Sequence, residues 1–269
     1  MKNIIVVGYP KSGNTWVTRL VAELVGCPIA GFWHSDHNEI AGEGTNRQSD
    51  FRCFKSHHQL HELEIDNNSS DEYYIIYVIR DPRDVSISGA NYFQFERYNQ
   101  IYNLLKKLPK GRALFYRIIY KIIYPESFRI SQMMNAVLYG SKDVHDWCRI
   151  PWNTHYKAYL ESGYLFVRYE DLLSKPENEC KKILAYLGLS RQENQIKEAI
   201  KNQSFEKKKE YFLQKGDNRN VRFMRTGTSE QWKRKLSKKQ KEIFNQLLHE
   251  ELMHLSYATS NDCVAKTKR

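Results

Sequence analysis

The chain has 269 residues, of which 41% are hydrophobic and 27% charged, and its mean hydropathy is −0.68. This composition is close to the globular average, which excludes general disorder and allows a sizeable core in one large domain or two small ones, at roughly 100 to 200 residues per domain. The net charge of +11 lies in residues 181–269, with 21 basic and 10 acidic residues against 21 of each sign in residues 1–180, and this asymmetry indicates either an anionic partner or a solvated basic surface.

The first predicted elements are a strand, a glycine loop and a helix. The apolar, β-branched run 3–7 predicts a strand that ends at Gly8. Apolar residues then recur at helical spacing over 16–24, and Gly26 and Pro28 end this helix.

Two further strands are predicted before residue 80. One is short, at 51–55, and the other, 73–79, is apolar throughout, as expected for a strand buried on both faces of a parallel sheet. Asp81 and Pro82 then open a second helix, with the proline in its first turn.

The second half of the chain is predicted to be mainly helical. Residues 97–160 are rich in helix formers and aromatic residues, a strand follows at 164–167, and 170–187 is predicted to be helical. Residues 211–232 are predicted to form a long basic loop, and long loops in compact domains are usually functional.

The alternation of strands with helices predicts an α/β fold. We expect a single domain over residues 1–258, with a P-loop-like central parallel sheet flanked by helices. Residues 259–269 are expected to form a flexible tail.

The sequence excludes several classes of protein. The longest apolar runs, 4–8 and 73–79, are far shorter than the roughly 18 residues of a membrane span, and the N-terminal apolar run is too short for a signal peptide. The five cysteines are widely spaced, without a zinc-binding pattern, so we expect reduced thiols. These features favour a cytoplasmic protein.

Residues 8–15 read Gly-Tyr-Pro-Lys-Ser-Gly-Asn-Thr, which is the glycine spacing of a phosphate-binding loop. Such a loop directs backbone N–H groups and a helix N-terminus toward a phosphate. The lysine that follows the second glycine in nucleoside triphosphatases is replaced here by Asn14, and the loop's only lysine is Lys11. Because glycine turns are common after strands, the spacing alone leaves phosphate binding open.

The string YPKSGNTW at residues 9–16 resembles the 5′-phosphosulfate loop of the sulfotransferases that use 3′-phosphoadenosine 5′-phosphosulfate (PAPS). Four other segments resemble elements of that family, in the same order. They are a Lys-Thr-His-like element at 54–57, a 3′-phosphate segment at 80–88, a Tyr-Glu-Asp turn at 168–172, and an Arg-Lys-Gly-like signature at 223–227 that is followed by Trp232 and Lys233.

The resemblance implies an enzyme that transfers a sulfuryl group from PAPS to a hydroxyl or amine of a small-molecule acceptor, in line and with no metal, leaving adenosine 3′,5′-bisphosphate. His57 is expected to accept the acceptor's proton, Lys11 to stabilise charge on the bridging oxygen, and Lys55 to bind sulfonate oxygens. The residues implied in nucleotide binding are Lys11, Ser12, Gly13, Asn14, Thr15, Trp16, Arg80, Ser88, Tyr169, Phe205, Arg225, Thr226 and Gly227.

The sequence also departs from the family pattern. Asn14 replaces a threonine and is expected to keep a polar group facing phosphate, and Thr226 replaces the signature lysine, so that Arg225 and Arg80 would carry more of the 3′-phosphate binding. The segment after Trp232 lacks the usual dimer-contact sequence, which leaves monomer and homodimer both open.

The acceptor is not inherited from the resemblance, because residues 31–51 match nothing in the family pattern. This region carries acidic side chains, which makes a cationic or polyhydroxylated natural product conceivable and a charge-balanced surface loop the simpler alternative. The acidic residues are Asp36, Glu39, Glu43 and Asp50.

Two other functions each account for part of the sequence. In a P-loop kinase, Asp81 would bind Mg²⁺, but the Gly-Lys-Ser/Thr sequence is missing and Pro82 makes Asp81 a helix cap. A nucleic-acid-binding module would use the basic C-terminal third with Tyr211, Phe212 and Phe223, but no nucleic-acid-binding motif supports it. We therefore expect no nucleic-acid partner and no membrane partner.

Overall fold

The computed structural model describes residues 1–34, 43–65, 70–93, 122–217, 221 and 227–258. The chain divides into two compact units. The first comprises Met1–Arg80 and His155–Ser229, and the second comprises Asp81–Thr154 and Glu230–Arg269. The predicted tail at 259–269 lies outside the described residues.

The first unit contains a five-stranded sheet in which every pairing is parallel. Its strands are β1 (Lys2–Val7), β2 (Ile29–Phe32), β3 (Phe51–Ser56), β4 (Glu72–Ile79) and β5 (Leu165–Arg168), in the order β2-β3-β1-β4-β5. This confirms the predicted α/β fold with a central parallel sheet. The sequence does not predict strand β2, because its four residues include Ala30 and Gly31 and so lack the apolar run that identifies the other strands.

The helices of the described ranges are numbered in chain order. They are α1 (Asn14–Val25), α2 (Pro82–Ala90), α3 (Glu126–Tyr139), α4 (Trp152–Leu160), α5 (Tyr169–Ser174), α6 (Pro176–Tyr186), α7 (Glu193–Asn202), α8 (Phe205–Gln214), α9 (Trp232–Lys235), α10 (Lys238–Leu247) and α11 (His249–His254).

Two predictions about helices need correction. The stretch 170–187 is two helices, α5 and α6, because Pro176 disfavours a helical conformation at Lys175. The loop predicted at 211–232 is wrong over 211–214, where α8 continues, and at 232, where α9 begins. Helix α8 continues over 211–214 because Phe212 is buried under the guanidinium of Arg19, 5.1 Å from its ring centre.

The core of the first unit lies between one face of the sheet and helices α1, α6 and α7. Alternate strand residues such as Ile4 and Val6 point to this face, because successive side chains of a strand point to opposite sides. Helix α1 contributes Val17, Leu20 and Leu24 at helical spacing. This packing fixes the N-terminus of α1 at the end of β1.

The second unit is organised around the start of α2. Asp81 caps this helix by accepting the backbone N–H of Arg83, and its carboxylate also pairs with the Arg83 guanidinium at 2.7–3.1 Å. The guanidinium lies 3.6 Å from the ring centre of Trp232 and donates to the carbonyl of Tyr257. Arg83 therefore ties the C-terminal helices to α2.

Four cysteines, Cys27, Cys53, Cys148 and Cys180, are buried free thiols, as expected, and Cys263 lies outside the described residues. Burial raises the pKa of Cys27 and of Cys180 to about 12. Across the described part of the chain, no helix is long and apolar enough to cross a membrane.

Candidate active site

The predicted site residues of the first unit follow the carboxyl ends of its strands. Val7 pairs with Ser56 of β3 and with Tyr77 of β4, and Ile79 pairs with Arg168 of β5, so these strands end at one edge of the sheet. The glycine loop follows β1, and the other segments begin with His57, Arg80 and Tyr169. Ligands of open α/β sheets bind at this edge.

Both glycines of the loop are required by close approach. A Cβ atom at Gly8 would lie 2.4 Å from the carbonyl oxygen of Val78, and one at Gly13 would lie 2.6 Å from the ring of Tyr169. Gly13 also has a φ of +102°, in the left-handed region that favours glycine. Between them, Lys11 has a φ of +72°, an uncommon conformation for a residue with a side chain.

The loop leads directly into α1 and holds buried polar groups. Ser12, Asn14 and Thr15 are all buried, and within the described ranges the Ser12 hydroxyl has no hydrogen-bond partner. Buried hydroxyls are nearly always hydrogen-bonded, so this one is available to a polar ligand or a water molecule. A hydroxyl donor beside a helix N-terminus fits the phosphate of a nucleotide.

The Asn14 side chain is turned toward the backbone. Its Nδ2 atom donates to the carbonyl of Gly8 at 2.8 Å and to that of Ser56 at 3.0 Å. Both amide hydrogens are therefore used inside the protein, and what Asn14 has left is its acceptor oxygen, Oδ1. An acceptor oxygen is poorly suited to contact a phosphate, contrary to what the replacement of threonine suggested.

His57 is anchored to the first residue of the loop. Its Nδ1 atom lies 2.8 Å from the Gly8 carbonyl oxygen and 3.1 Å from Asn14 Nδ2. Because both amide hydrogens of Asn14 are directed at carbonyls, the assignment that satisfies these groups places the proton of the neutral ring on Nδ1, which donates to Gly8. The lone pair is then on Nε2, the nitrogen available to act as a base. The neighbouring His58 has a different partner, since its Nδ1 lies 2.9 Å from the Ser56 hydroxyl.

Lys55 and His57 share an aromatic neighbour. The Lys55 ammonium lies 5.6 Å from the ring centre of Phe32, and the rings of Phe32 and His57 are also 5.6 Å apart. Lys55 is buried, so its charge is held close to the end of β3. A cation, an imidazole and an apolar ring thus lie together there.

Arg80 joins three segments of the first unit. Its guanidinium lies 4.2 Å from the ring centre of Tyr169 and donates to the carbonyls of Lys11 at 3.2 Å and Thr228 at 3.1 Å. Trp16 packs edge-on against the same tyrosine, with ring centres 5.5 Å apart. Two edge-packed rings and a guanidinium form a surface suited to a nucleotide base and its phosphates.

Gly227 lies close to Phe205, since a Cβ atom at this position would be 2.5 Å from the Phe205 ring. The loop's Trp16 is also tied to this region, because its Nε1 donates to the carbonyl of Gln203 at 2.8 Å. These contacts bring Gly227 and Trp16 close to the start of α8, whose first residue is Phe205.

Three other predicted nucleotide-binding residues are not among the described residues of the first unit. Ser88 is on α2 in the second unit, and Arg225 and Thr226 lie outside the described residues. Asp81 is the cap of α2 and the ion-pair partner of Arg83, which does not suit the magnesium-binding role of a kinase. In the described part of the chain, no three His, Cys, Asp or Glu side chains are grouped as a metal site would be.

The acidic segment is partly used for structure. Glu43 pairs with the buried Arg19 at 2.7 Å and lies 3.9 Å from the Lys208 ammonium, and burial is the largest cause of the lowered pKa of Lys208. Asp50 is exposed, and Asp36 and Glu39 lie outside the described residues.

Three buried side chains at the site were not identified from the sequence: Tyr77, His155 and Tyr159. His155 Nε2 lies 3.1 Å from the carbonyl oxygen of His57, and its Nδ1 lies 2.8 Å from the Tyr77 hydroxyl. Tyr159 donates to the carbonyl of His58 at 2.8 Å. In the sequence, the one signal for these residues was a tyrosine within the apolar run of β4. His155 and Tyr159 carry no local signal, because α4 follows nearly 100 residues after His57 in the chain.

Comparison with known proteins decides the family. The sulfotransferase domain family matches residues 1–256. The chain belongs to the sulfotransferase family. This confirms the prediction made from the five sequence elements.

Relatives of this sulfotransferase match it over most of their length. Mouse sulfotransferase 2A6 is 26% identical over 270 residues, covering 94% of this chain and 85% of the relative. Human sulfotransferase 2A1 is 26% identical over 272 residues, with the same coverage.

Solved sulfotransferase structures share its fold. The complex of mouse SULT7A1 with PAP has a TM-score of 0.62 at 22% identity, covering 93% of this chain and 84% of that one. Retinol dehydratase in complex with androsterone and inactive cofactor PAP has a TM-score of 0.58 at 19% identity, covering 93% and 80%.

Proposed function

We propose that this sulfotransferase transfers a sulfuryl group from PAPS to a hydroxyl or amine of a small-molecule acceptor. The observation that carries the proposal is the hydrogen bond between His57 Nδ1 and the Gly8 carbonyl, which ties a candidate base to the candidate phosphate loop. Two structural neighbours that were solved in complex with PAP support the choice of nucleotide.

The nucleotide would be held by the glycine loop and by the residues around Arg80. Backbone N–H groups at the start of α1 and the Ser12 hydroxyl would bind the 5′-phosphosulfate, and Tyr169 with Trp16 would contact the adenine side. PAPS supplies the activated sulfuryl group when it is bound.

In the proposed step, the acceptor's oxygen or nitrogen forms a bond to sulfur while the sulfur–phosphate oxygen bond breaks. The acceptor's proton goes to Nε2 of His57, whose Nδ1–H remains bonded to the Gly8 carbonyl. Lys11 stabilises the charge that develops on the leaving phosphate oxygen, and Lys55 binds the sulfonate oxygens. The other product is adenosine 3′,5′-bisphosphate.

The acceptor should carry an apolar portion beside its nucleophile, because Phe32 lies next to both His57 and Lys55. A cationic acceptor is less well supported than the acidic sequence suggested, since Glu43 is already paired with Arg19. A polyhydroxylated small molecule with one apolar face remains compatible with the site. A cytoplasmic location, absence of a nucleic-acid partner and the choice between monomer and homodimer stay predictions.

The proposal is tested with the purified protein. Calorimetry should show that adenosine 3′,5′-bisphosphate binds far more tightly than AMP, because AMP lacks the 3′-phosphate that Arg80 and Arg225 are proposed to bind. Labelled PAPS with a panel of alcohols, phenols, amines and sugars should then give a labelled product. Equal affinities for the two nucleotides would contradict the assignment of the nucleotide site.

A further inference from the structure

Three consecutive backbone carbonyls beside the candidate base are each held by a side chain. Ser56 accepts a hydrogen bond from Asn14 Nδ2 at 3.0 Å, His57 from His155 Nε2 at 3.1 Å, and His58 from the Tyr159 hydroxyl at 2.8 Å. We call Asn14, His155 and Tyr159 the carbonyl clamp. The clamp holds the backbone from Ser56, the last residue of β3, to His58.

The clamp residues are deeply buried and lie on two helices. Asn14, His155 and Tyr159 are 2%, 1% and 0% exposed. Asn14 is the first residue of α1, whereas His155 and Tyr159 lie one helical turn apart on α4. Loop carbonyls are ordinarily satisfied by water, so three buried side-chain donors in a row constrain this backbone much more than a turn requires.

The hydrogen-bond directions in the clamp follow from its chemistry. A carbonyl only accepts, so His155 carries its proton on Nε2, and its Nδ1 accepts from the Tyr77 hydroxyl at 2.8 Å. Burial raises the pKa of both Tyr77 and Tyr159 well above the ordinary value, which keeps these hydroxyls protonated as donors.

The carbonyl clamp also contacts the glycine loop. The ring of Tyr9, the second residue of the loop, packs edge-on against the His155 ring, with ring centres 5.8 Å apart. His155 in turn donates to the carbonyl of His57. The base segment is thus tied to the loop twice, at its ring through Gly8 and at its backbone through His155.

We propose that His155 and Tyr159 are positioning residues, which hold the His57 backbone so that its Nε2 faces the acceptor. The inference rests on the proposed function, because it requires His57 to be the base. Proton transfer depends on near-ideal placement, and a shift of about 1 Å can cost about 100-fold in rate. A clamp on the backbone prevents such a shift without touching the substrate.

Tyr159→Phe is the main test, since it removes one hydroxyl and leaves the ring. We expect kcat to fall by about 3- to 100-fold, which is less than the full general-base effect of about 100- to 10,000-fold, while the affinity for adenosine 3′,5′-bisphosphate stays unchanged. Tyr186→Phe is the control, because it removes the hydroxyl of a half-buried tyrosine at the end of α6, whose ring packs against Tyr74. It should keep kcat.

A second pair of variants guards against a folding defect. His155→Gln retains an amide donor that can reach the His57 carbonyl and should preserve most of the activity, whereas His155→Leu, which has no donor, should lose it. Activity that is equal in these two variants, at equal melting temperature, would refute a positioning role for His155.

The same variants are then combined with His57→Ala, which separates the two proposals. If Tyr159 acts through His57, Tyr159→Phe should cause no further loss in the His57→Ala background. A further loss of the same size there overturns the inference, as does a kcat for Tyr159→Phe equal to that of Tyr186→Phe. Full turnover by His57→Ala alone would instead overturn the proposed function.

Discussion

Gly13→Ala should damage the nucleotide site much more than its size suggests. The added Cβ would lie 2.6 Å from the Tyr169 ring, against about 3.4 Å for an ordinary contact, so the ring must retreat by about 0.8 Å. Tyr169 is only 6% exposed and lies under the Arg80 guanidinium at 4.2 Å, so its movement also disturbs Arg80.

The magnitude has two parts. The left-handed backbone costs an alanine about 1–2 kcal/mol, which lowers the free energy of unfolding. Loss of the Arg80–Tyr169 stacking adds about 0.5–2 kcal/mol, which we expect to weaken the affinity for adenosine 3′,5′-bisphosphate by roughly 2- to 30-fold.

The control is Gly163→Ala, which has a similar left-handed φ of +72° and nothing within 4 Å of the added Cβ. It should lose a similar amount of stability in urea unfolding and keep its nucleotide affinity in calorimetry. If Gly13→Ala binds the bisphosphate as well as Gly163→Ala does, the contact between loop and Tyr169 is not part of a nucleotide site.

Two further predictions concern the chemistry. With Lys11 supplying positive charge, turnover should persist in EDTA and collapse in Lys11→Ala, whereas strict dependence on Mg²⁺ would favour a kinase-like role for Asp81. His57→Ala should lower steady-state turnover by a general-base factor of about 100 to 10,000 with little change in nucleotide affinity, while His58→Ala stays near wild type. If activity is lost in His58→Ala and not in His57→Ala, the base is His58.

The sequence identifies the edge of the sheet that carries the candidate active site, because each strand there is followed directly in the chain by its site residues. A strand and the residue that follows it, such as Ile79 and Arg80, are read together from an apolar run and its end. Strand β2 is not identified in this way, because Gly31 and the short length of the strand leave no periodic pattern. Only its pairing with β3 defines it.

What the sequence cannot supply is the direction of individual side chains. Asn14 could be recognised as polar at a phosphate loop, but its use on the carbonyls of Gly8 and Ser56 depends on where β3 ends beside β1. His155 and Tyr159 are brought to the carbonyls of His57 and His58 only when the chain folds. No local sequence pattern identifies a histidine that binds a distant carbonyl.

The two arginines of the Arg-Asp-Pro-Arg-Asp segment, Arg80 and Arg83, make different contacts. Arg80 faces Tyr169 and the loop, whereas Arg83 is held by Asp81, covers Trp232 and reaches the carbonyl of Tyr257. An inactive variant at Arg83 would therefore report a C-terminal segment that has lost its anchor, and nucleotide could not rescue it. Under the proposed function, only at Arg80 would a loss of activity indicate a defect in the donor site, so changes in this motif have to be interpreted one arginine at a time.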